Sequence, residues 1–288
     1  MIPLALVLVG LAGPALAHGG AGAEDISAHS SVLLPLAVVA VIYAKGLFAL
    51  RRARFGFAAP LRSAAFMMGL IVIGFALAGP LHAFAERSFS AHMVEHELLI
   101  VVAAPLLVIA RPGGVLLWAF TRPQRQAIAT GLRTTRVLRA WRACRGLQAA
   151  TLLHGAVLWT WHVPTLFNQA LRVEPLHWLQ HGSFLLSGIW FWQAILASAG
   201  QKHSILAISD LFATTMHLGL LGALLALARH PLYAPLAARA DALADQQLAG
   251  VIMWVPGCLL YAIVALLIGA RMLCRASPIR EPKDALGR

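Results

Sequence analysis

Two pairs of histidines, each spaced four residues apart at the start of an apolar stretch, are the residues best suited to chemistry in this chain. They are His92 and His96 in AHMVEHELLIVVAAPLLVIA, and His177 and His181 in PLHWLQHGSFLLSGIWFW. A spacing of four places both imidazoles of a pair on one face of a helix. Ionisable residues inside membrane helices are costly and therefore indicate function. If both pairs lie on the same side of one bilayer, they predict a histidine-lined metal site.

The composition assigns the chain to the integral membrane proteins. Of its 288 residues 60% are hydrophobic and only 12% charged, and the mean hydropathy is +0.77. Soluble domains carry about 25% charged residues. The three cysteines, Cys144, Cys258 and Cys274, show no C-x-x-C or C-x-C spacing, which excludes a thiolate metal motif and a disulfide framework.

The first 17 residues are predicted to form a secretory signal peptide. They have an apolar core and end in Ala15-Leu16-Ala17, a cleavage pattern of small residues. The segment contains no lysine or arginine, so an uncleaved anchor is the alternative. Residues 18–31 would then form a periplasmic N-terminal segment, which places the start of the mature chain outside the cytoplasm.

Seven apolar runs follow, and none shows the alternation of a strand. The sequence therefore predicts an all-α, polytopic membrane bundle of seven transmembrane helices within residues 32–273, followed by a cytoplasmic tail over 274–288. The runs cover residues 32–50, 64–79, 91–110, 147–161, 176–196, 205–228 and 248–272.

The distribution of positive charge sets the predicted orientation. One set of alternate connections, together with the C-terminal tail, carries 18 lysines and arginines, and the opposite set carries 4. Because cytoplasmic loops are enriched in lysine and arginine, the N-terminus is expected in the periplasm and the C-terminus in the cytoplasm of a bacterial inner membrane. A signal peptide predicts the same orientation independently.

The basic cytoplasmic segment 111–147 carries eight of these arginines. An interfacial helix lying on anionic lipid would have this charge pattern. Nucleic-acid binding would require the same charges, but Trp141 is the one aromatic residue interleaved with the arginines from 122 to 145. We therefore expect anionic lipid, and no nucleic acid, as the partner of this segment.

The predicted topology collects six histidines in one layer near the periplasmic face. At 1.5 Å per helical residue, both pairs lie within about two turns of that face, and His82 and His162 follow the second and fourth runs there. Glu95 lies three residues from His92, where it can act as a ligand or accept an imidazole N–H. The predicted metal ligands are His92, His96, His177, His181 and His162, with Glu95 and His82 as further candidates.

Four deeper residues extend the candidate set, and each has a simpler explanation. His154 lies about 12 Å below His162, His217 and Met216 lie near the middle of the sixth run, and Met253 comes from the seventh. Histidine and methionine together suit copper in either oxidation state, whereas histidine alone also suits zinc or iron. The competing explanations are hydrogen bonds between helices for the two histidines and packing for the two methionines. Asp241 and Asp245 are expected to cap the last helix.

Four stretches resemble a known family. AHMVEHELLIVVAAPLLVIARP, WTWHVPTLFNQAL, LHWLQHGSFLLSGIWFW and ADQQLAGVIMWVPG are similar to successive motifs of the multi-pass CtaG-type cytochrome c oxidase assembly factors, which are associated with caa-type oxidases. The likeness runs from about the second to the seventh apolar run. By position it carries over the motif residues His92, His96, His162, His177, His181, Asp245, Gln246 and Trp254.

The resemblance implies a function in oxidase maturation, at a copper centre. Expected partners are cytochrome c oxidase subunits and periplasmic copper chaperones, and the expected role is that of a metal-binding chaperone and not of an enzyme. No nucleophile with its base, phosphate loop or nucleotide site is evident in the sequence. Two alternatives stay open: a membrane haem-binding protein or a zinc- or other metal-dependent enzyme that uses the same histidine pairs, and a scaffold whose histidines only pack.

Overall fold

The computed structural model describes residues 21–53, 60–134, 146–199, 203–233 and 240–276. Within these ranges every regular element is helical, as predicted. The predicted signal peptide, most of the C-terminal tail and the arginine-rich stretch 135–145 lie outside the described residues. The predicted interfacial helix is described only in part, as the partly buried helix Gly113–Trp118 and the helix Arg122–Thr134, whose side chains are mostly exposed up to residue 131.

Thirteen helices make up the described part of the chain, and two of them continue through a π-helical turn. The helices are α1 (Ala21–Arg52), α2 (Pro60–Ala78), α3 (Pro80–Ala85), α4 (Phe89–Glu97), α5 (Ala104–Ala110), α6 (Gly113–Trp118), α7 (Arg122–Thr134), α8 (Leu147–His162), α9 (Pro164–Ala170), α10 (Glu174–Ser198), α11 (Ser204–Ala226), α12 (Ala242–Ile252) and α13 (Cys258–Ala276). The π-helical turns are Leu98–Ala103, which joins α4 to α5, and Met253–Gly257, which joins α12 to α13.

Five segments of the described chain are long and apolar enough to cross a membrane. They are Ser30–Arg52, Pro60–Ala85, Phe89–Ala110, Ser204–Ala226 and Ala242–Arg275. The fourth predicted run forms α8, whose 16 residues extend about 24 Å, less than the hydrocarbon core of about 30 Å. The fifth forms α10, which has 25 residues but carries two histidines, two glutamines and Glu174. The count of seven spans therefore stays a prediction.

The helices that bear the histidine pairs lie next to each other. The π turn Leu98–Ala103 and α5 pack against α10, α8 packs against α10, and α12 packs against α4. The Trp192 indole donates a hydrogen bond to the Ile100 carbonyl in the π turn (2.9 Å). This bond ties the helix of the first pair to that of the second.

The second π turn follows from a proline and lies beside a close helix crossing. Pro256 has no N–H to donate to the preceding turn, and the wider turn Met253–Gly257 accommodates it. Just before it, Gly250 faces the backbone of Gly222 and Ala226 in α11 with no room for a Cβ atom. Small residues allow membrane helices to approach each other this closely. The crossing with α11 places α12 where it contacts α4.

Candidate metal centre

All six histidines that the sequence places in one layer meet at one end of the bundle, which we call the histidine end. His92 and His96 of α4 and His181 of α10 form its buried centre. One ring nitrogen of each of these three residues lies within 4.8 Å of the others. The predicted convergence of the two pairs is therefore present in the structure.

The four imidazole rings of the two pairs lie close to one another. The ring centroids are 4.3 Å apart for His92 and His96, and 4.4 Å apart for His177 and His181. Between the helices, His96 lies 5.2 Å from His181, and His92 lies 5.3 Å from His177 in a nearly parallel stack. The i, i+4 spacing thus puts both rings of each helix on the face that meets the other helix.

His162 joins the cluster from a third helix, at the end of α8. Its ring centroid lies 6.4 Å from that of His96. Its Nδ1 atom donates a hydrogen bond to the Leu158 carbonyl (2.7 Å), and a carbonyl can only accept, so Nδ1 carries the proton. Nε2 then has a free lone pair, and this atom is buried without a hydrogen-bond partner. Such a tautomer is ready to bind a metal ion.

Glu95 links the inner and outer histidines. Its Oε1 atom accepts a hydrogen bond from Nδ1 of His82 (2.8 Å). Its Oε2 atom has no hydrogen-bond partner and lies 3.6 Å from Nδ1 of His92 and 3.8 Å from Nε2 of His181. The side chain is fully buried. Its position fits both roles expected from the sequence, as a ligand or as the acceptor that orients an imidazole.

The donor atoms of the centre fit a metal ion. Both ring nitrogens of His96, and Nε2 of His92, His177 and His181, are buried without a hydrogen-bond partner. Buried polar groups are normally paired, and each exception requires an explanation such as an ion. Metal–imidazole bonds of about 2.0–2.1 Å place ligand nitrogens about 3.5 Å apart in a trigonal or tetrahedral site. The three central residues would need to close by little more than about 1 Å to reach that geometry.

Aromatic side chains surround the centre. The Phe184 ring lies 4.5 Å from that of His96, and the Phe167 ring lies 5.4 Å from that of His92. Tyr233, between α11 and α12, packs on Phe167 and donates its hydroxyl to the His162 carbonyl (3.1 Å). Burial raises the pKa of the Tyr233 hydroxyl, which keeps it a hydrogen-bond donor.

Asp245 fixes the helix that carries the first pair. Although Asp245 lies in α12, its carboxylate accepts hydrogen bonds at the start of α4, from the backbone N–H groups of Phe89 (2.6 Å) and Ser90 (3.1 Å) and from the hydroxyls of Ser88 (2.9 Å) and Ser90. A carboxylate here meets unpaired N–H groups and the positive end of the helix dipole. The sequence predicted that Asp245 would cap its own helix, whereas the structure shows it capping α4.

Gln246, the next residue, has a comparable role. Its side-chain Oε1 atom accepts the backbone N–H of Leu232 (2.7 Å), which holds the segment that carries Tyr233. The motif residues of α12 thus lie beside the histidine cluster and help to position it. Spacing alone could not reveal this role because their partners lie 14 and more than 150 residues away in the sequence.

The deeper candidates have other surroundings. His154 hydrogen-bonds to Ser187 (3.1 Å) and Tyr261 (3.4 Å), the arrangement between helices that competed with metal binding in the sequence. His217 is half-buried, and neither of its ring nitrogens has a hydrogen-bond partner. Met216 is 52% exposed, and Met253 is buried in the second π turn. A metal-binding role for these four residues stays a prediction.

Besides Phe167 and Tyr233, two residues beside the centre were not predicted from the sequence. Gln180, adjacent to His181, is fully buried and lies against His92. Phe184 covers His96 from the next turn of α10. The i, i+3 spacing of Phe184 to His181 and its position on the same face of α10 were the signal that could have identified it.

Comparison with known proteins agrees with the resemblance noted in the sequence. No curated protein and no solved structure matches the chain. The family model described as cytochrome c oxidase caa3 assembly factor (Caa3_CtaG) matches residues 41–275. This range is most of the chain and includes every residue of the histidine cluster. The chain therefore belongs to the cytochrome c oxidase caa3 assembly factor family.

Proposed function

We propose that the protein binds copper at the histidine end and helps to supply it to cytochrome c oxidase. One observation carries this proposal: His92, His96 and His181, from two helices, hold buried ring nitrogens within 4.8 Å of one another, and most of those nitrogens have no other partner. The free Nε2 atom of His162 provides a fourth donor from a third helix. The family supplies the client, cytochrome c oxidase.

Copper is the metal that this donor set and this family favour together. Imidazole binds copper, zinc and iron, and divalent copper lies highest among them in affinity for nitrogen sites. Among the metals of an oxidase, the copper centres are those that a chaperone could load from the outer side of the membrane. The aromatic surroundings of the histidine cluster would keep water from a bound ion.

The histidine end faces the periplasm in this proposal. Helix ends and connections that carry arginines alternate along the chain with those that carry histidines of the cluster. The arginines are Arg51, Arg52, Arg111, Arg122 and Arg125, and the histidines are His82, His162 and His177. Positively charged connections favour the cytoplasm. A copper site on the other face is accessible to periplasmic copper chaperones and to oxidase subunits.

Metal analysis of the protein purified in detergent tests the proposal. Wild-type protein should contain about one copper ion per chain after loading and washing, and the His96→Ala/His181→Ala variant should contain less than about a tenth of that, because each lost imidazole removes a main ligand. His230→Ala is the matched control, since His230 is an exposed histidine outside the cluster. Full copper content in the double variant would contradict the proposal.

Two further measurements separate the alternatives. An intense Soret absorption band in the purified protein would favour a haem-binding protein with the histidine pairs as axial ligands. Oxidase activity in cells complemented with the double variant tests the scaffold alternative. If the variant supports the same oxidase activity as the wild type, the histidines have a packing role and the protein assists assembly without handling metal.

A further inference from the structure

The cluster has an inner and an outer part that differ in exposure. His92, His96 and His181 are each at most 3% exposed. His82 is 16% exposed, and His177 is half-buried. The outer two stack on each other with ring centroids 6.0 Å apart and planes 20° apart. The cluster thus contains a partly accessible pair above a closed triad.

The outer pair continues directly into the triad. The His177 ring lies 5.3 Å from that of His92 and 18° from parallel, so three rings follow one another from the surface inward. Glu95 spans the same interval, with Oε1 on His82 and Oε2 next to His92 and His181. The ring centroids along this series are 6.0 and 5.3 Å apart, so side-chain movements of about 1–2 Å would let an ion acquire its next ligand before losing its last.

A bare ion that reached the triad without intermediate ligands would have to cross apolar surroundings. The ligand atoms of the triad are shielded by their own helices and by Phe184 and Phe167. Moving an ion through apolar surroundings is costly when no ligands accompany it. The half-buried pair offers nitrogen ligands at the partly accessible side, and a carboxylate next to them reduces the cost of the positive charge.

We infer that His82 and His177, with Glu95, form an entry site that captures the metal ion and passes it by ligand exchange to His92, His96 and His181. The inference rests on the proposed function and divides it into two roles. The triad determines how tightly the ion is held, whereas the entry site determines how fast the ion arrives and leaves. His82 and His177 are then ligands of a passing ion and not of the final complex.

The two roles have different kinetic signatures. A residue on the path changes the barrier and leaves both end states alone, so loading and release slow by the same factor and Kd, their ratio, is unchanged. A permanent ligand stabilises the bound state, so its loss accelerates release and weakens Kd. The test is stopped-flow loading of the full chain in detergent with Cu⁺ buffered by a chromophoric chelator, with release followed after addition of excess chelator.

The variant His82→Gln/His177→Gln is the most informative. A glutamine amide can still donate a hydrogen bond to Glu95, which limits damage to the buried carboxylate, but it does not bind Cu⁺ as imidazole does. We expect loading and release to slow together by about tenfold or more, within the range for residues that support a metal site, with Kd within about threefold of wild type. His230→Gln is the matched control and should change neither rate.

Three outcomes overturn the inference. If Kd weakens while loading stays fast, His82 and His177 are permanent ligands. If neither rate changes, they are not on the path.

The third involves a cavity of about 320 Å³ between α1, α2 and α10, lined by apolar residues together with Ser31, Glu174, Gly182 and His181. If Gly182→Leu slows loading and the double glutamine variant does not, the ion enters by this lateral route. A failure of the proposed function looks different, because the wild-type protein would then bind neither Cu⁺ nor Cu²⁺.

Discussion

His96 and His154 occupy the same kind of position, on buried faces of helices that pack against α10, and each is at most 3% exposed. Their partners differ. Both ring nitrogens of His154 are hydrogen-bonded, whereas neither ring nitrogen of His96 is. His154 also stacks on Phe191, and His96 packs among three other histidine rings.

The hydrogen bonds of His154 form a complete set. Ser187 donates its hydroxyl to the Phe184 carbonyl (3.2 Å), so its oxygen must accept the proton on Nδ1 of His154. Nε2 is then the acceptor for the Tyr261 hydroxyl. Every polar side-chain group of this set has a hydrogen-bond partner within the protein, and the hydrogen bonds link α8, α10 and α13.

The difference distinguishes a structural histidine from one that we propose binds a metal ion. A buried polar group without a partner costs about 1–3 kcal/mol, and several such groups in one place destabilise the fold. A fold can retain such unpaired groups where a bound metal ion uses them as ligands. Burial and residue type are therefore insufficient to identify a metal ligand, and the free lone pairs are the informative feature.

Exchanging each histidine for leucine should give opposite results, and the loss of metal affinity is the largest effect we expect. His96→Leu should weaken copper binding by about 100-fold or more, because one of three central ligands is lost. It should leave the metal-free protein about as stable as the wild type, since it removes unpaired polar atoms from the interior. Competition with a copper chelator and thermal unfolding in detergent measure the two quantities.

His154→Leu is the matched variant for this experiment. We expect copper affinity to stay within about threefold of wild type, because both nitrogens of His154 are already used in hydrogen bonds. A comparable loss of copper in both variants would show that His154 belongs to the metal site and would remove the distinction between the two regions.

Asp245→Asn should have the next largest effect on copper binding. The amide keeps the shape of the side chain but loses the charge, and it can no longer accept all the hydrogen bonds that Phe89, Ser88 and Ser90 donate. Since α4 carries His92 and His96, we expect an affinity loss of about 10-fold to 100-fold, the range for groups that orient metal ligands.

Asp245→Glu serves as the comparison for this role. It retains the charge and should recover part of the lost affinity, which a general loss of packing would not explain. Equal copper affinity for Asp245→Asn and the wild type would show that the cap is dispensable for the geometry of the centre.

The stability effect of His154→Leu is expected to be smaller. The variant leaves the Tyr261 hydroxyl without its acceptor and breaks the link between α8, α10 and α13. Hydrogen bonds between membrane helices average about 0.6 kcal/mol and reach about 1.7 kcal/mol. We expect a loss of about 1–3 kcal/mol in unfolding free energy, measured in detergent with the metal-free protein. An unchanged stability would contradict the structural role.

Much of the centre was predictable because its information is local. The spacing of His92 to His96 and of His177 to His181 determines a shared helix face, and the distribution of arginines places both pairs at one end of a bundle. The roles of Asp245 and Tyr233 were not predictable, since they depend on contacts between segments far apart in the chain. The same limit applies to His154, whose saturated hydrogen bonds depend on Ser187 and Tyr261 from two other helices.

Tyr233→Phe is expected to give the smallest effect and tests how far the rigidity of the centre extends. The Tyr233 hydroxyl satisfies the His162 carbonyl at the C-terminal end of α8, where helix carbonyls lack partners within the helix. Loss of this hydroxyl should cost about 1 kcal/mol of stability.

The phenylalanine ring of the variant stays packed on Phe89 and Phe167, and the His162 ring keeps its hydrogen bond to the Leu158 carbonyl. Copper affinity should therefore change by less than about threefold, a value under 1 kcal/mol. A much larger loss, measured by chelator competition, would mean that His162 is held as a ligand mainly through its backbone, and that the centre depends on the connection before α12 as strongly as on its own helices.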